Sequence, residues 1–282
     1  MTSFGERLGA VVDDRGPLCV GIDPHARLLT SWGLADSAAG AREFGLRVVE
    51  AVVGRVGVVK PQVAFFERFG SAGFAALEEV LGAARAAGLL VIADAKRGDI
   101  GSTMDGYAGA WLTPGSPLEA DALTVSSYLG PESLVDTAAR AREVGKGLFL
   151  LAATSNPEAY TLQSALVSDL AALRGETVAG LVARHARAIN GAGAGLGSIG
   201  LVVGATIDRH AVGLDDALLT RAPILAPGFG AQGAELADAP RLFGAVLGQV
   251  LPNVSRSVLS AGPDGVAAAV AAAAQEVASW PR

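Results

Sequence analysis

The chain has 282 residues, of which 51% are hydrophobic and 18% charged, enough apolar material for a sizeable core and too much for general disorder. A formal net charge of -6 argues against a nucleic-acid surface, so an anionic ligand would need a local basic site. The single cysteine, Cys19, excludes an intramolecular disulfide, and no Cys/His spacing suggests zinc. Flanked by Leu18 and Val20, Cys19 is expected to be a small buried hydrophobe and not a nucleophile. Residues 1–7 place an acid and a base where a secretory signal would begin its apolar region. No run approaches membrane-spanning length without charge or glycine, so a cytoplasmic protein is expected.

In chain order, eight short apolar runs recur: Leu18–Asp23, Val56–Gln62, Leu89–Lys96, Ala122–Ser126, Gly147–Thr154, Ile199–Thr206, Ile224–Gly230 and Val254–Ser260. Between them, Ala38–Val53, Ala72–Ala87, Glu132–Val144, Asp208–Leu219 and Pro263–Ala278 carry apolar residues at helical spacing. Eight strand–helix units with no break in composition predict an α/β fold, a single (β/α)8 TIM barrel forming one domain over 1–282. Residues 156–190 are too many for one loop and one helix. They are expected to be an insertion on the fifth unit, with a break near Arg174-Gly175-Glu176. The glycine-rich run 191–197 leads into a strand instead of following one, which fits a connecting loop on the bottom face better than a phosphate cradle.

Charge collects where the runs end. Asp23 closes the first, Lys60 the second, and Asp94 and Lys96 the third, with Asp99 just beyond. Neighbouring strands lie about 4.8 Å apart and residues two apart share a face, so these groups can touch at a barrel mouth. A single pair would be a salt bridge closing the barrel top. Four charges at three successive strand ends point to chemistry, because buried ion pairs return little stability for their desolvation. The loop Pro227-Gly228-Phe229-Gly230-Ala231-Gln232-Gly233 and the following Ser255-Arg256-Ser257 sit after the seventh and eighth runs, the usual phosphate position of this barrel class. Arg256 can grip a phosphate with a planar fork, so a phosphorylated small molecule is expected.

The segment Asp94-Ala95-Lys96-Arg97-Gly98-Asp99-Ile100 with Thr103 resembles the signature of the orotidine 5'-phosphate decarboxylase family. Gly21-Ile22-Asp23-Pro24, Val59-Lys60-Pro61, Ala153-Thr154-Ser155-Asn156-Pro157 and Pro227 to Gly233 follow in that family's order, and the chain length resembles the longer bacterial branch. The resemblance implies loss of CO2 from orotidine 5'-phosphate to give uridine 5'-phosphate (UMP), the final step of pyrimidine nucleotide synthesis, with no metal or organic cofactor. It implies Lys96 as proton donor to C6, flanked by Asp94 and Asp99. Lys60 would orient Asp94 and a ribose hydroxyl, Asp23 a second hydroxyl, and Ser155 would meet the pyrimidine. Pro227, Gln232 and Arg256 would line the phosphate end. Asp99, Ile100 and Thr103 would reach into the site of a partner subunit, implying a homodimer with shared sites, without nucleic-acid or membrane partners.

Two alternatives stay open here. A Mg-dependent sugar-phosphate decarboxylase of the same barrel group would need an acid where this chain has Lys60, and a non-catalytic nucleotide-phosphate binder would need neither Asp94 nor Lys96. A Schiff-base aldolase is disfavoured because paired aspartates keep Lys96 protonated. His25, His185 and His210 suit solvated or capping roles, and Tyr107 and Trp111 suit packing.

Overall fold

The computed structural model describes residues 2–168, 172–230 and 233–281. Its strands are β1 (Cys19–Ile22), β2 (Val58–Pro61), β3 (Leu90–Arg97), β4 (Ala122–Val125), β5 (Gly147–Ala153), β6 (Ile199–Val203), β7 (Ile224–Pro227) and β8 (Val250–Val254). Each pairs in parallel with the next and β1 pairs with β8, so the sheet closes into the expected barrel. Nearly every strand residue is buried, as strands covered on both faces require.

Helix α1 (Phe4–Arg15) precedes the barrel. It is followed by α2 (Ala26–Ser31), α3 (Ala38–Val52), α4 (Ala64–Glu67), α5 (Gly70–Ala86), α6 (Gly101–Leu112), α7 (Val135–Glu143), α8 (Ala159–Gln163), α9 (Val178–Asn190), α10 (Ala239–Phe243), α11 (Arg256–Leu259) and α12 (Gly262–Ala278). Local chemistry starts several of them. Ser3 and Glu6 form a reciprocal capping box on α1, while the hydroxyls of Ser37 and Thr177 cap α3 and α9. Between α8 and α9 the chain makes an isolated antiparallel bridge, Leu166 to Thr177, with Gly175 at φ +83°. The run 191–197 does connect α9 to the lower end of β6, where Arg221 donates to the carbonyls of Asn190, Gly191 and Gly195.

Two expectations are corrected. Asp208–Leu219 forms turns, not a helix. Asp208 Oδ1 accepts the amides of His210 and Ala211, Gly213 sits at φ +76°, and buried Arg209 ties down Leu214 O, so local side-chain bonds win over helical spacing. The eighth strand runs Val250–Val254 instead of Val254–Ser260, whose residues 256–259 form α11. Pro252 and Asn253 look like strand breakers, yet Pro252 pairs with Ala226, and Asn253 Nδ2 donates to Cys19 O at 3.2 Å.

A small apolar cluster joins Phe4 and Leu8 of α1 to Cys19, Val58, Leu90, Ile92, Ala122, Phe149, Val202, Leu225 and Leu251. Helix α1 thus stoppers the barrel from below, with the Phe4 and Phe149 rings edge-to-face at 6.1 Å. A side chain at Gly147 would strike Phe4 Cδ1 at 2.4 Å, so that glycine makes room for the stopper. Side chains alternate along a strand, so the inward positions continue upward from Cys19 to Asp23, from Val58 to Lys60, and from Ile92 to Asp94. The charged residues therefore rest on this apolar floor at the C-terminal rim.

Candidate active site

A cavity of about 280 Å³ opens at that rim. Of the expected site residues, Asp23, Lys60, Asp94, Lys96, Ser155, Pro227 and Arg256 line it together. Asp99, Ile100 and Thr103 do not: they belong to the segment entering α6, where Ile100 is 61% exposed and Asp99 Oδ1 accepts the Ile100 amide at 2.8 Å. Gln232 lies outside the described residues.

The charges form a chain. Lys60 Nζ is 2.8 Å from Asp94 Oδ2 and 4.0 Å from Asp23 Oδ1, while Lys96 Nζ is 2.5 Å from Asp94 Oδ1. Lys60 and Asp94 are both buried, whereas the Lys96 side chain is half exposed toward the cavity. Burial pushes the Asp94 carboxyl up, but Lys60 and Lys96 outweigh it and hold it at about 2. Burial likewise pulls the Lys60 ammonium down, and Asp94 with Asp23 reverses this, leaving it above the usual lysine range. Both groups are charged across neutral pH.

Three details bear on reactivity. Lys96 has φ +48°, a left-handed conformation costly for a residue with a side chain and concentrated at functional sites. Asp23 Oδ1 is buried with no hydrogen-bond partner among the described residues, although Ser255 Oγ donates to Oδ2 at 2.5 Å. Arg256 is exposed and makes no ion pair among the described residues. A side chain at Gly230, φ +75°, would place its Cβ 2.6 Å from Ser257 Cβ, so this glycine lets the loop after β7 pack against the residue next to Arg256. Cys19 is buried, its thiol pushed up to about 12 by burial, as suits a core residue. His25 accepts the Leu28 amide and caps α2, and Trp111 is in the core.

Sequence reasoning passed over Gln62, Leu151, Val202, Leu225, Asn253 and Ser255, which also line the cavity, and Thr124 behind it. Parity would have found most of them, since Asn253 and Leu151 lie two residues beyond the inward Leu251 and Phe149. Gln62 braces the cluster by donating to Asp94 O at 3.2 Å.

Residues 16–272 match the model of the "Orotidine 5'-phosphate decarboxylase / HUMPS family". An orotidine 5'-phosphate decarboxylase of a Nocardioides species is 56% identical over 259 residues, covering 92% of both chains. Its counterpart in Streptomyces coelicolor is 54% identical over 275 residues, covering 96% of this chain and 95% of the relative. A crystal structure from Streptomyces avermitilis, described as a candidate orotidine 5'-phosphate decarboxylase, superposes with TM-score 0.92 at 52% identity, covering 99% of this chain and 95% of that one. The OMP decarboxylase of Leishmania donovani superposes with TM-score 0.78 at 33% identity, with 98% of each chain covered. Similarity of this extent, spanning the barrel and every strand end that feeds the cavity, places the chain in the orotidine 5'-phosphate decarboxylase / HUMPS family.

Proposed function

We propose that the protein decarboxylates orotidine 5'-phosphate to UMP and CO2, the final step of pyrimidine nucleotide synthesis, with Lys96 as the proton donor. The observation that carries this is the Lys60–Asp94–Lys96 chain of ion pairs, which lines one cavity together with Arg256, an arginine with no ion pair among the described residues. The C6–carboxylate bond breaks, CO2 departs, and the electron pair left on C6 takes a proton from Lys96 Nζ. The resulting amine regains a proton from solvent. Before transfer, the Lys96 ammonium stabilises the charge growing on C6 from a fixed position, which costs no reorganisation during the reaction.

Asp94 would face the substrate carboxylate. Two such charges at about 4 Å repel by roughly 4 kcal/mol at an effective dielectric of 20, and loss of neutral CO2 relieves this. Lys60 holds Asp94 in place and, with Gln62, stops it turning away from the reacting carbon. Asp23 Oδ1, with no hydrogen-bond partner among the described residues, suits a ribose hydroxyl, Ser155 the pyrimidine edge, and Pro227 and Arg256 the 5'-phosphate, where Gln232 is assigned by the family resemblance alone. No metal ligand set or organic cofactor enters this scheme. Lys60 supplies positive charge where a metal-dependent relative would hold its cation, which favours this chemistry over the sugar-phosphate alternative.

Asp99, Ile100 and Thr103, which miss their own cavity, fit a homodimer in which they complete the partner's site. The whole chain is taken as one cytoplasmic domain carrying an addition at 156–190 on the fifth unit, and no helix among the described residues is long and apolar enough to cross a membrane. The direct test is ultraviolet assay of orotidine 5'-phosphate with a chelator present. Well-folded protein that turns over nothing, or works only with added Mg2+, would sink the proposal. Mixing inactive Lys96→Ala and Asp99→Ala proteins should regenerate activity by forming one intact site per hybrid dimer. No recovery despite demonstrated subunit exchange would rule out sharing.

A further inference from the structure

Strands β3 and β4 fall out of step at the site. Ala93 pairs with Leu123 and Arg97 with Val125, so Asp94, Ala95 and Lys96 face a single residue, Thr124. Such a bulge re-aims side chains, and here it leaves Lys96 in its left-handed conformation, which persists only where the surroundings enforce it.

Thr124 is 1% exposed and does not line the cavity. Valine would fill this position between Leu123 and Val125 as well, so the hydroxyl needs a reason. Its oxygen accepts the Lys96 backbone N–H at 2.9 Å and lies 3.1 Å from Asp94 Oδ1, with Ala93 O farther away at 3.5 Å. A hydroxyl has one proton to give, and the shorter, charged acceptor takes it. Asp94 Oδ1 therefore has two donors, Lys96 Nζ and Thr124 Oγ1. Only the first is consumed in the reaction.

We propose that Thr124 is a positioning residue for proton transfer: its hydroxyl fixes the backbone of Lys96 and keeps Asp94 Oδ1 aimed when the Lys96 proton passes to the substrate. The assignment rests on the decarboxylase chemistry proposed above. Without the hydroxyl, Lys60 still anchors Asp94 through Oδ2, but among the described residues Oδ1 keeps only Lys96 Nζ and can follow it.

The test uses Thr124→Val, which keeps the shape, and Thr124→Ser, which keeps the oxygen. The valine variant should lose roughly 10- to 100-fold in kcat, the consequence of leaving buried polar groups unpaired in the transition state. Its affinity for UMP, measured by titration, should stay within about threefold of the parent, because the product does not call on the proton transfer. Serine should restore most of kcat, which a purely space-filling role would not predict. If valine prevents folding, Thr124→Ala takes its place, since alanine and serine differ by one oxygen. A hydroxyl-free variant with nearly parental kcat, or a serine variant no faster than it, overturns the assignment. Absence of turnover in the parent, measured first, overturns the decarboxylase chemistry and this inference together; failure confined to the variants overturns the inference alone.

Discussion

The barrel carries two buried charge clusters, one at each end, and they are built to opposite standards. At the bottom, Asp121 just before β4 accepts Arg7 Nη1 at 2.7 Å and the Val91 amide at 2.9 Å. Glu119 accepts Lys146 at 2.7 Å, Arg85 at 2.5 Å and the Gly115 amide at 2.9 Å. All four carboxylate oxygens are bonded, and the leftover donor is Arg85 Nε. At the top, Asp23 Oδ1 has no hydrogen-bond partner among the described residues, Lys96 is half exposed in a strained backbone, and the cluster faces a cavity. A network that serves the fold bonds every carboxylate oxygen it buries; one that serves a ligand leaves an acceptor waiting for it.

This contrast makes the two ends separable by mutation. Lys96→Ala should give the largest effect, a kcat loss of at least about a thousandfold, because under the proposed chemistry it removes both the proton donor and a preorganised charge. Its melting temperature should barely move, since the side chain is half exposed and Asp94 keeps Lys60. A steady-state assay paired with a thermal melt checks both halves. Substantial remaining turnover would mean that another group delivers the proton.

Asp121→Ala is the mirror case. It strips Arg7, Lys146 and the Val91 amide of a partner at once, and breaking a buried pair costs about 3–5 kcal/mol. Urea unfolding should show that loss while kcat of the folded fraction is unchanged. A variant of normal stability with impaired kcat would contradict the division between the two ends.

How legible each feature was depends on what its residue type shares with ordinary core. The strands announced themselves because covered parallel strands must be Val-, Ile- and Leu-rich runs. Asp94 and Lys96 stood out because charge at the end of such a run must be paired, hydrogen-bonded or functional, and four charges at three successive strand ends exceed what one salt bridge needs. Thr124, Leu151, Val202 and Leu225 did not, since each is ordinary strand filler until the barrel closes and parity turns it inward. The helix expected over Asp208–Leu219 failed for the opposite reason. Val212, Leu214, Leu218 and Leu219 fall near helical spacing, but the buried Arg209 guanidinium and the Asp208 turn take the backbone elsewhere. In β8, Pro252 hid a strand because a barrel strand tolerates a missing amide where its neighbour does not need it.

The smallest expected effect tests how tightly Lys96 holds Asp94. A carboxyl depressed in the folded state stabilises fully above its unfolded value, near 3.9, and loses that contribution as pH falls toward the folded value of about 2. Lys60 behaves in the opposite sense. Its raised folded value gives stability that is complete below about 10.4 and lost as pH climbs through the folded value. In the parent, therefore, neither group should limit stability between about pH 4 and 10. Lys96→Ala removes one of the two cations that lower Asp94, so its carboxyl should protonate at higher pH. Urea midpoints of parent and variant should run parallel above about pH 5 and separate below it, by no more than about 1 kcal/mol, the variant falling first. Curves that stay parallel down to pH about 2 would mean that Lys60 alone keeps Asp94 ionised, and that the Lys96 ammonium is held in place mainly by its own backbone conformation.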